Sequence, residues 1–175
     1  MAKSLKYVIF RTRWGYFGLL GSEKGLIRSC LPVGDSRKAK KLLLARTSKA
    51  NPDARLFTDL QAKIKAYFEG SYVDFADTRL FLDGLTEFSR NVLTACRKVK
   101  YGQKISYWEL AKLAGKPGAS QAVGNILARN RLPLIIPCHR IIRSNGKISG
   151  FSAPGGVGLK ERMLELESSA LTMGV

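Results

Sequence analysis

The chain has 175 residues, 45% of them hydrophobic, and a formal net charge of +17. A chain of this size buries a core in one or two domains without disulfide or metal staples, which excludes a disulfide-stapled miniprotein. Its three cysteines, Cys30, Cys96 and Cys138, form no CxxC pair, so we expect a reducing compartment: the cytoplasm, and the nucleoid region if the cell is prokaryotic.

The basic excess is large for a protein of 19.3 kDa. Such a charge favours a polyanionic partner, because binding releases condensed counterions; nucleic acid comes first and an anionic membrane surface second. A surface that is basic only for solubility is the alternative. The early apolar stretch Tyr7-Val8-Ile9-Phe10 is too short for a signal peptide or a membrane span. Of the two polyanions we therefore expect nucleic acid as the partner, and no membrane.

The first third of the chain predicts a β-meander. The strands are Tyr7 to Phe10, Tyr16 to Leu20 and Leu26 to Leu31, with turns near Gly15 and Gly25. Two helices follow, from Ser36 to about Arg46 and from about Leu56 to Phe68. The second has apolar residues at four-residue spacing, which is typical of a core-facing helix. We expect a short strand from Tyr72 to Phe75 to complete the meander.

A soft domain boundary is predicted near residue 80, which divides the chain into an α/β supporting domain, 1–80, and a more helical domain, 81–175. The fold class is therefore α+β. At the start of the second domain, Phe88, Val92, Cys96 and Val99 form an apolar stripe. Cys96 is accordingly interpreted as a small buried hydrophobic residue, and Cys30, on a strand, in the same way.

The segment after Ile105 predicts a helix-turn-helix. Ser106-Tyr107-Trp108-Glu109 is a capping-box pattern that starts a helix, and Gly115-Lys116-Pro117-Gly118 ends it. A second helix begins near Ala119 and exposes small residues. Its smooth surface suits close approach to a narrow groove or to phosphates, or else tight packing against another helix. An Asn145-Gly146 turn after Ile141-Ile142 predicts a hairpin, which would be the wing of a winged helix.

The only histidine of the chain lies beside a cysteine in Pro137-Cys138-His139-Arg140. A thiolate is a strong nucleophile, and a neighbouring base or cation helps it to form. The preceding prolines favour extended backbone, in which adjacent side chains point to opposite faces. We therefore expect Cys138 and His139 to communicate through a water molecule. A lone histidine and scattered cysteines lack the spacing of structural zinc, so no metal is expected.

Several motifs of the second half occur together. They are Ala122-Val123-Gly124, Asn130, Ile135-Ile136 followed by Pro137-Cys138-His139-Arg140, and Gly155-Gly156 with Lys160, Leu164 and Glu167. From about Phe88 to Glu167 this combination closely resembles the O6-alkylguanine-DNA alkyltransferase family. The residues before 80 are similar only in general layout, and the resemblance implies a small ribonuclease H-like domain there.

The resemblance implies a methylated-DNA–[protein]-cysteine S-methyltransferase that repairs DNA. An alkyl group would move irreversibly from O6 of guanine in double-stranded DNA to Cys138, once per molecule and without a cofactor. By the family pattern His139 is the base, acting through water, and Glu167 orients it. Tyr107 assists base flipping and the departure of guanine, and Asn130 holds the turn before the active-site segment. The protein would act as a monomer without an obligate protein partner.

The resemblance also assigns two sets of binding residues. The base pocket would be lined by Tyr107, Ile141, Phe151 and Ser152. The DNA-contacting residues would be Ala119, Ser120, Gln121, Ala122, Gly124, Arg129 and Arg140. One position departs from the family pattern: Gln121 stands where an arginine usually enters the base stack, which predicts weaker flipping or weaker discrimination.

Two other functions are alternatives to the alkyltransferase. A winged-helix protein that binds the lesion without repairing it resembles alkyltransferase-like damage sensors, which lack the cysteine that is present here as Cys138. A cysteine hydrolase would need a histidine far from its cysteine in the sequence, and this chain has none.

Overall fold

The computed structural model describes residues 4–47 and 49–174, and the chain divides into two compact units, Met1–Phe81 and Leu82–Val175. The first combines a sheet with two helices and the second is mainly helical, so the predicted α+β class is confirmed. Within the described ranges, no helix combines the length and the apolar character that a bilayer crossing requires.

The first unit is built on a four-stranded sheet. Its strands β1 (Lys6–Thr12), β2 (Gly15–Ser22) and β3 (Gly25–Val33) run antiparallel in the predicted order. The fourth strand, β4 (Asn51–Pro52), pairs parallel with β1 and gives the order β3-β2-β1-β4. Gly15 has a φ of 125°, a conformation open to glycine that allows the tight first turn.

The predicted strand from Tyr72 to Phe75 is wrong, since this segment forms no strand. Val73 and Phe75 are buried, while Tyr72 is exposed. The carboxylate of Asp74 accepts the backbone N–H of Ala76 at 2.8 Å, which turns the chain locally. The alternating apolar residues Val73 and Phe75 therefore bury their side chains, but the backbone of this segment pairs with no strand.

Two helices cover opposite faces of the sheet. Helix α1 (Ser36–Leu43) places Leu43 against Tyr7 and Leu20 on one face. Helix α2 (Thr58–Phe68) packs Phe68 against Phe17 on the other, with ring centroids 6.1 Å apart.

Helix α1 ends earlier than the predicted Arg46. The guanidinium of Arg28 donates to the carbonyl of Leu43 at 2.9 Å and also to that of Ala45. These bonds satisfy carbonyls that the helix end leaves unpaired. Leu42 is exposed, whereas Leu43 is fully buried.

The second unit packs three helices around a small apolar core and adds a fourth. They are α3 (Glu87–Arg97), α4 (Tyr107–Leu113), α5 (Ser120–Ala128) and α6 (Gly156–Met173). Val92 and Cys96 of α3 are fully buried, as are Leu110 of α4 and Val123 of α5. Two short strands, β5 (Ile105–Ser106) and β6 (Ile141–Ile142), pair in parallel.

The predicted helix pair forms as expected. Ser106 accepts the Glu109 backbone N–H at 3.0 Å, and the Glu109 carboxylate accepts the Ser106 N–H at 2.7 Å, which completes the capping box. Gly115 and Gly118 have φ values of 88° and 85°, and this left-handed backbone ends α4 and leads into α5.

The predicted hairpin after β6 forms only in part. The turn at Asn145-Gly146 is present, with the Arg143 N–H bonded to the Lys147 carbonyl at 3.0 Å. No second strand follows, because β6 pairs with β5 instead. The Asn145-Gly146 turn thus reverses the chain as predicted, but the segment after it does not pair with β6 to form a wing.

Candidate active site

The reactive cysteine lies in a tight turn. Cys138–Arg140 forms one turn of 3₁₀ helix, so the expected extended backbone is wrong here. The preceding segment is itself folded into a turn: Leu134 has a φ of 74°, and the Ile136 N–H bonds to the Leu132 carbonyl at 2.8 Å. Proline restricts its neighbours to extended backbone statistically, but the burial of the apolar residues between Pro133 and Pro137 outweighs that preference.

His139 and Glu167 form a buried hydrogen-bonded pair. The Nε2 atom of His139 lies 2.7 Å from Oε1 of Glu167, and neither side chain is exposed. An ionised carboxylate only accepts hydrogen bonds, so the proton of a neutral imidazole lies on Nε2. The Nδ1 atom then carries the free lone pair, and no described protein group hydrogen-bonds to it. His139 is therefore a base at Nδ1.

Arg140 completes this buried network. Its Nε donates to Oε2 of Glu167 at 3.0 Å, its Nη2 to Oε1 at 2.9 Å, and its Nη1 to the Val99 carbonyl at 2.7 Å. The expectation that Arg140 contacts DNA is contradicted, because the guanidinium is buried and its donors are engaged within the protein. The sequence could not separate this role from a phosphate contact, since arginine serves both.

Protonation in the network follows from burial and charge. Burial raises the pKa of Glu167, but the hydrogen bonds and charges of His139 and Arg140 outweigh it and lower that pKa to about 2. Burial lowers the pKa of His139, although the hydrogen bond and charge of Glu167 act in the opposite direction. Glu167 is thus a carboxylate and His139 a neutral imidazole near neutral pH.

The thiol of Cys138 is also neutral at rest. Burial raises its pKa, while a hydrogen bond from Asn130, the charge of Lys160 and backbone N–H groups favour the thiolate. The Nδ2 of Asn130 donates to Sγ at 3.3 Å and to the Ile136 carbonyl at 3.0 Å. The Oδ1 of Asn130 accepts the Leu132 N–H at 3.0 Å. Asn130 thereby bonds to the turn, where the resemblance implies a holding role for it, and it also touches the sulfur atom.

Tyr107 and Lys160 approach the site from α4 and α6. The Tyr107 hydroxyl donates to the Ser149 carbonyl at 3.4 Å, and burial raises the pKa of this phenol. The ammonium group of Lys160 is buried and donates to the carbonyls of Ile141 at 2.6 Å and Ser149 at 3.1 Å. Lys160 therefore fixes two segments on either side of the Asn145-Gly146 turn.

A cavity of about 670 Å³ opens beside the thiol. Of the predicted residues, Cys138, Tyr107, Ser120, Gln121, Gly124, Phe151 and Ser152 line it. Gly124 is part of the wall, and a Cβ added there would make an ordinary contact with the Tyr107 ring at 3.9 Å. This volume suits a ligand of nucleobase size or larger.

Other predicted residues lie outside this lining. Ile141 is fully buried in β6 and is not among the residues that line the cavity, so its place in the base pocket stays a prediction. Ala122 and Arg129 are exposed and Ala119 is partly exposed, all at or near α5, where they remain predicted DNA contacts.

Sequence reasoning missed several residues of the site. Trp108 and Arg143 line the cavity, and the sequence singles out Lys160 only as part of a motif. Trp108 follows Tyr107 directly, and in the sequence it stands out only as a member of the capping-box pattern. An aromatic residue in the first turn of the predicted helix-turn-helix is the signal that could have identified Trp108 as a site residue.

No group of three or more metal-ligating side chains occurs in residues 4–47 and 49–174.

Comparison with known proteins defines the class first. The family model described as "6-O-methylguanine DNA methyltransferase, DNA binding domain" matches residues 87–169. The methylated-DNA–protein-cysteine methyltransferase of Methanosarcina acetivorans is 36% identical over 163 residues, which cover 93% of this chain and 98% of the relative. The chain therefore belongs to the methylated-DNA–protein-cysteine methyltransferase family.

Further relatives agree with this membership. The protein of the same name from Mycobacterium bovis is 40% identical over 118 residues, 67% of this chain and 69% of the relative. The OGT protein of Mycobacterium tuberculosis, solved in complex with DNA, has a TM-score of 0.78 and 32% identity over 94% of each chain.

Proposed function

We propose that this protein repairs DNA by transferring an alkyl group from O6 of guanine to Cys138, directly, irreversibly and once per molecule. The observation that carries the proposal is the position of Cys138 at a cavity of about 670 Å³, beside a histidine whose Nδ1 is free and whose Nε2 is bound to a buried carboxylate. The names of the relatives support the same reaction.

The first step is deprotonation of the thiol. A water molecule between Sγ and Nδ1 would carry the proton from Cys138 to His139, while Glu167 stabilises the imidazolium that forms. The hydrogen bond from Asn130 and the charge of Lys160 stabilise the thiolate in the same step. This arrangement is a Cys-His-Glu triad with one water molecule inserted.

The second step is displacement at the alkyl carbon. The S–C bond forms as the C–O6 bond breaks, and the electron pair of that bond stays with guanine. Tyr107, whose raised pKa keeps its hydroxyl protonated, donates a proton to the departing base and regains one from the imidazolium through solvent. The thioether product is stable to water, which makes the reaction a single turnover.

The surface that we expect to bind DNA belongs to the second unit. The exposed side of α5 carries Gln121 and Ala122, and we propose that it enters the minor groove of the duplex with the small residues facing the backbone. The target nucleotide would rotate out of the stack into the cavity, which costs a few kcal/mol. The helix pair is then a helix-turn-helix of winged type, with the turn at Asn145-Gly146 as a wing that lacks a second paired strand, and the first unit is a ribonuclease H-like support.

The experiment that tests this function is intact mass spectrometry after incubation with a duplex that contains one O6-methylguanine. We expect one added methyl group, mapped to Cys138, together with restored guanine, and a monomer throughout. Cys138→Ala should abolish the mass change and keep DNA binding. Selective binding without any mass change would instead establish a damage sensor, and transfer to Cys96 or Cys30 would refute the assignment of the nucleophile.

A further inference from the structure

An exposed indole stands beside the thiol cavity. Trp108 is 50% exposed and lines the same cavity as Cys138 and Gln121. A single exposed apolar residue needs no explanation by itself. The position is informative because Leu113, on the same helix, is 67% exposed and does not line this cavity.

The surroundings of Trp108 suit an anionic partner. The ammonium group of Lys112, one helical turn away, lies 4.5 Å from the centre of its ring. Arg143 also lines the cavity, and no carboxylate is present among the described lining residues. An aromatic ring with a cation over one face, lining a cavity whose described walls hold no carboxylate, is a combination that binds nucleic acid, through stacking on bases and attraction to phosphates.

Gln121 lines the same cavity as Trp108 but offers little to compensate for base flipping. Gln121 can hydrogen-bond an unpaired base, but it has neither a charge nor an aromatic surface. A nucleotide that leaves the duplex loses its stacking on both neighbours. An indole at the cavity can recover part of this loss, since every base has a π-face.

We propose that Trp108 is a DNA-contacting residue that stacks on a nucleobase of the lesion strand when the alkylated nucleotide enters the cavity. This inference rests on the proposed function, since it assigns an extra contact to the same DNA complex. The cation of Lys112 over one ring face keeps the indole oriented and leaves its remaining surface to the nucleic acid.

The test compares Trp108→Ala, Trp108→Phe and the matched control Leu113→Ala. Removal of one base-stacking ring should weaken the affinity for an O6-methylguanine duplex about 5-fold to 150-fold. Trp108→Phe should stay within about threefold of the wild type, because a phenyl ring also stacks. Leu113→Ala should not change the affinity. An unchanged affinity of Trp108→Ala, or an equal loss in Leu113→Ala, would overturn the proposal.

A second measurement separates DNA contact from a distorted active site. Single-turnover transfer is measured with the lesion duplex and with O6-benzylguanine as a free base. Trp108→Ala should reduce the transfer rate on the duplex by a factor at least five times larger than the factor by which it reduces the rate on the free base. Parallel losses would mean that Trp108 only shapes the cavity. If the wild type reacted with neither the lesion duplex nor O6-benzylguanine, the proposed function itself would be refuted.

Fluorescence gives an independent reading. The chain has two tryptophans, and Trp14 lies in the first unit with its ring 5.2 Å from that of Phe68. In Trp14→Phe, all tryptophan emission comes from Trp108. Saturation with the lesion duplex should quench it, because stacked bases quench indole emission. Emission that stays constant at saturation would contradict the contact.

Discussion

At the level of single residues, burial decides the protonation state of Cys138 and His139 before the reaction. Cys138 and His139 are both held neutral, because a desolvated charge is unfavourable for thiolate and imidazolium alike. Glu167 and Arg140 carry opposite charges and neutralise each other, and the ammonium group of Lys160 is a further buried charge near Cys138. The thiol is therefore activated only when the proton moves, and His139 is already in the form that accepts it.

The lowered pKa of His139 predicts how transfer depends on pH. An ordinary histidine titrates near about 6.5, and a lowered pKa keeps Nδ1 unprotonated below that value. We expect the single-turnover rate at saturating duplex to stay constant as the pH falls to about 6.5 and to decline only at lower pH. The rate is measured between about pH 5 and 8, with duplex binding checked at each point. A midpoint above the ordinary histidine range would contradict the neutral buried imidazole.

The lowered pKa of Glu167 predicts a stability effect. Its folded value of about 2 lies below its ordinary value of 4.5, so its contribution is present above about pH 4.5 and is lost as the pH falls through about 2. Glu167→Gln should lower the free energy of unfolding at pH 7 by about 3 to 5 kcal/mol, because Arg140 stays buried without its counter-ion.

The measurement for Glu167→Gln is urea unfolding at several pH values. The difference from the wild type should shrink as the pH falls below about 4.5. Glu165→Gln is the matched control, since Glu165 is exposed on the same helix, and exposed sites contribute within about 0.5 kcal/mol. A constant difference down to pH 2 would show that the carboxylate charge is not its cause.

At the level of elements, the sequence predicted the helices and the meander better than the irregular segments. The capping box at Ser106 and Glu109 and the glycines that end α4 are local signals, and the structure confirms them. The turn at 133–137 depends on burial and on hydrogen bonds with the Asn130 side chain. No local sequence pattern indicates these interactions. The burial of Arg140 could not be predicted either, because its partner Glu167 is 27 residues away.

Ser106 is expected to matter for both stability and reaction. Ser106→Ala removes the acceptor for the Glu109 N–H and should cost about 1 kcal/mol. Transfer should slow as well, since Tyr107 is the first residue of α4. Chemical denaturation and single-turnover kinetics check both effects. Ser168→Ala, at an exposed position inside α6, is the control, and equal losses in the two variants would contradict a capping role.

Gln121 on α5 offers a gain-of-function test. Gln121→Arg adds a cation at the exposed end of α5, next to the cavity, and should speed transfer from duplex DNA by favouring the flipped state. Rates on duplex and on free base are compared under single-turnover conditions. An unchanged or slower duplex rate would show that glutamine serves as well as arginine here.

At the level of the whole molecule, the net charge of +17 makes the affinity for DNA dependent on salt. The logarithm of the association constant should fall linearly with the logarithm of salt concentration, by about 0.9 for each phosphate neutralised. Titration of an undamaged duplex by fluorescence anisotropy at several salt concentrations gives this slope. Arg129→Ala should reduce it by about 1, whereas Glu161→Gln should not. A slope near zero would contradict an electrostatic mode of binding.

The buried thiol also has a consequence for the lifetime of the unused protein. A molecule that reacts once is wasted if a small electrophile or an oxidant reaches its sulfur first. Because the raised pKa keeps Cys138 protonated and its side chain is buried, reagents such as peroxide or iodoacetamide meet little thiolate. Selectivity against stray chemicals is thus achieved before any lesion is recognised, and each molecule keeps its single reaction for DNA.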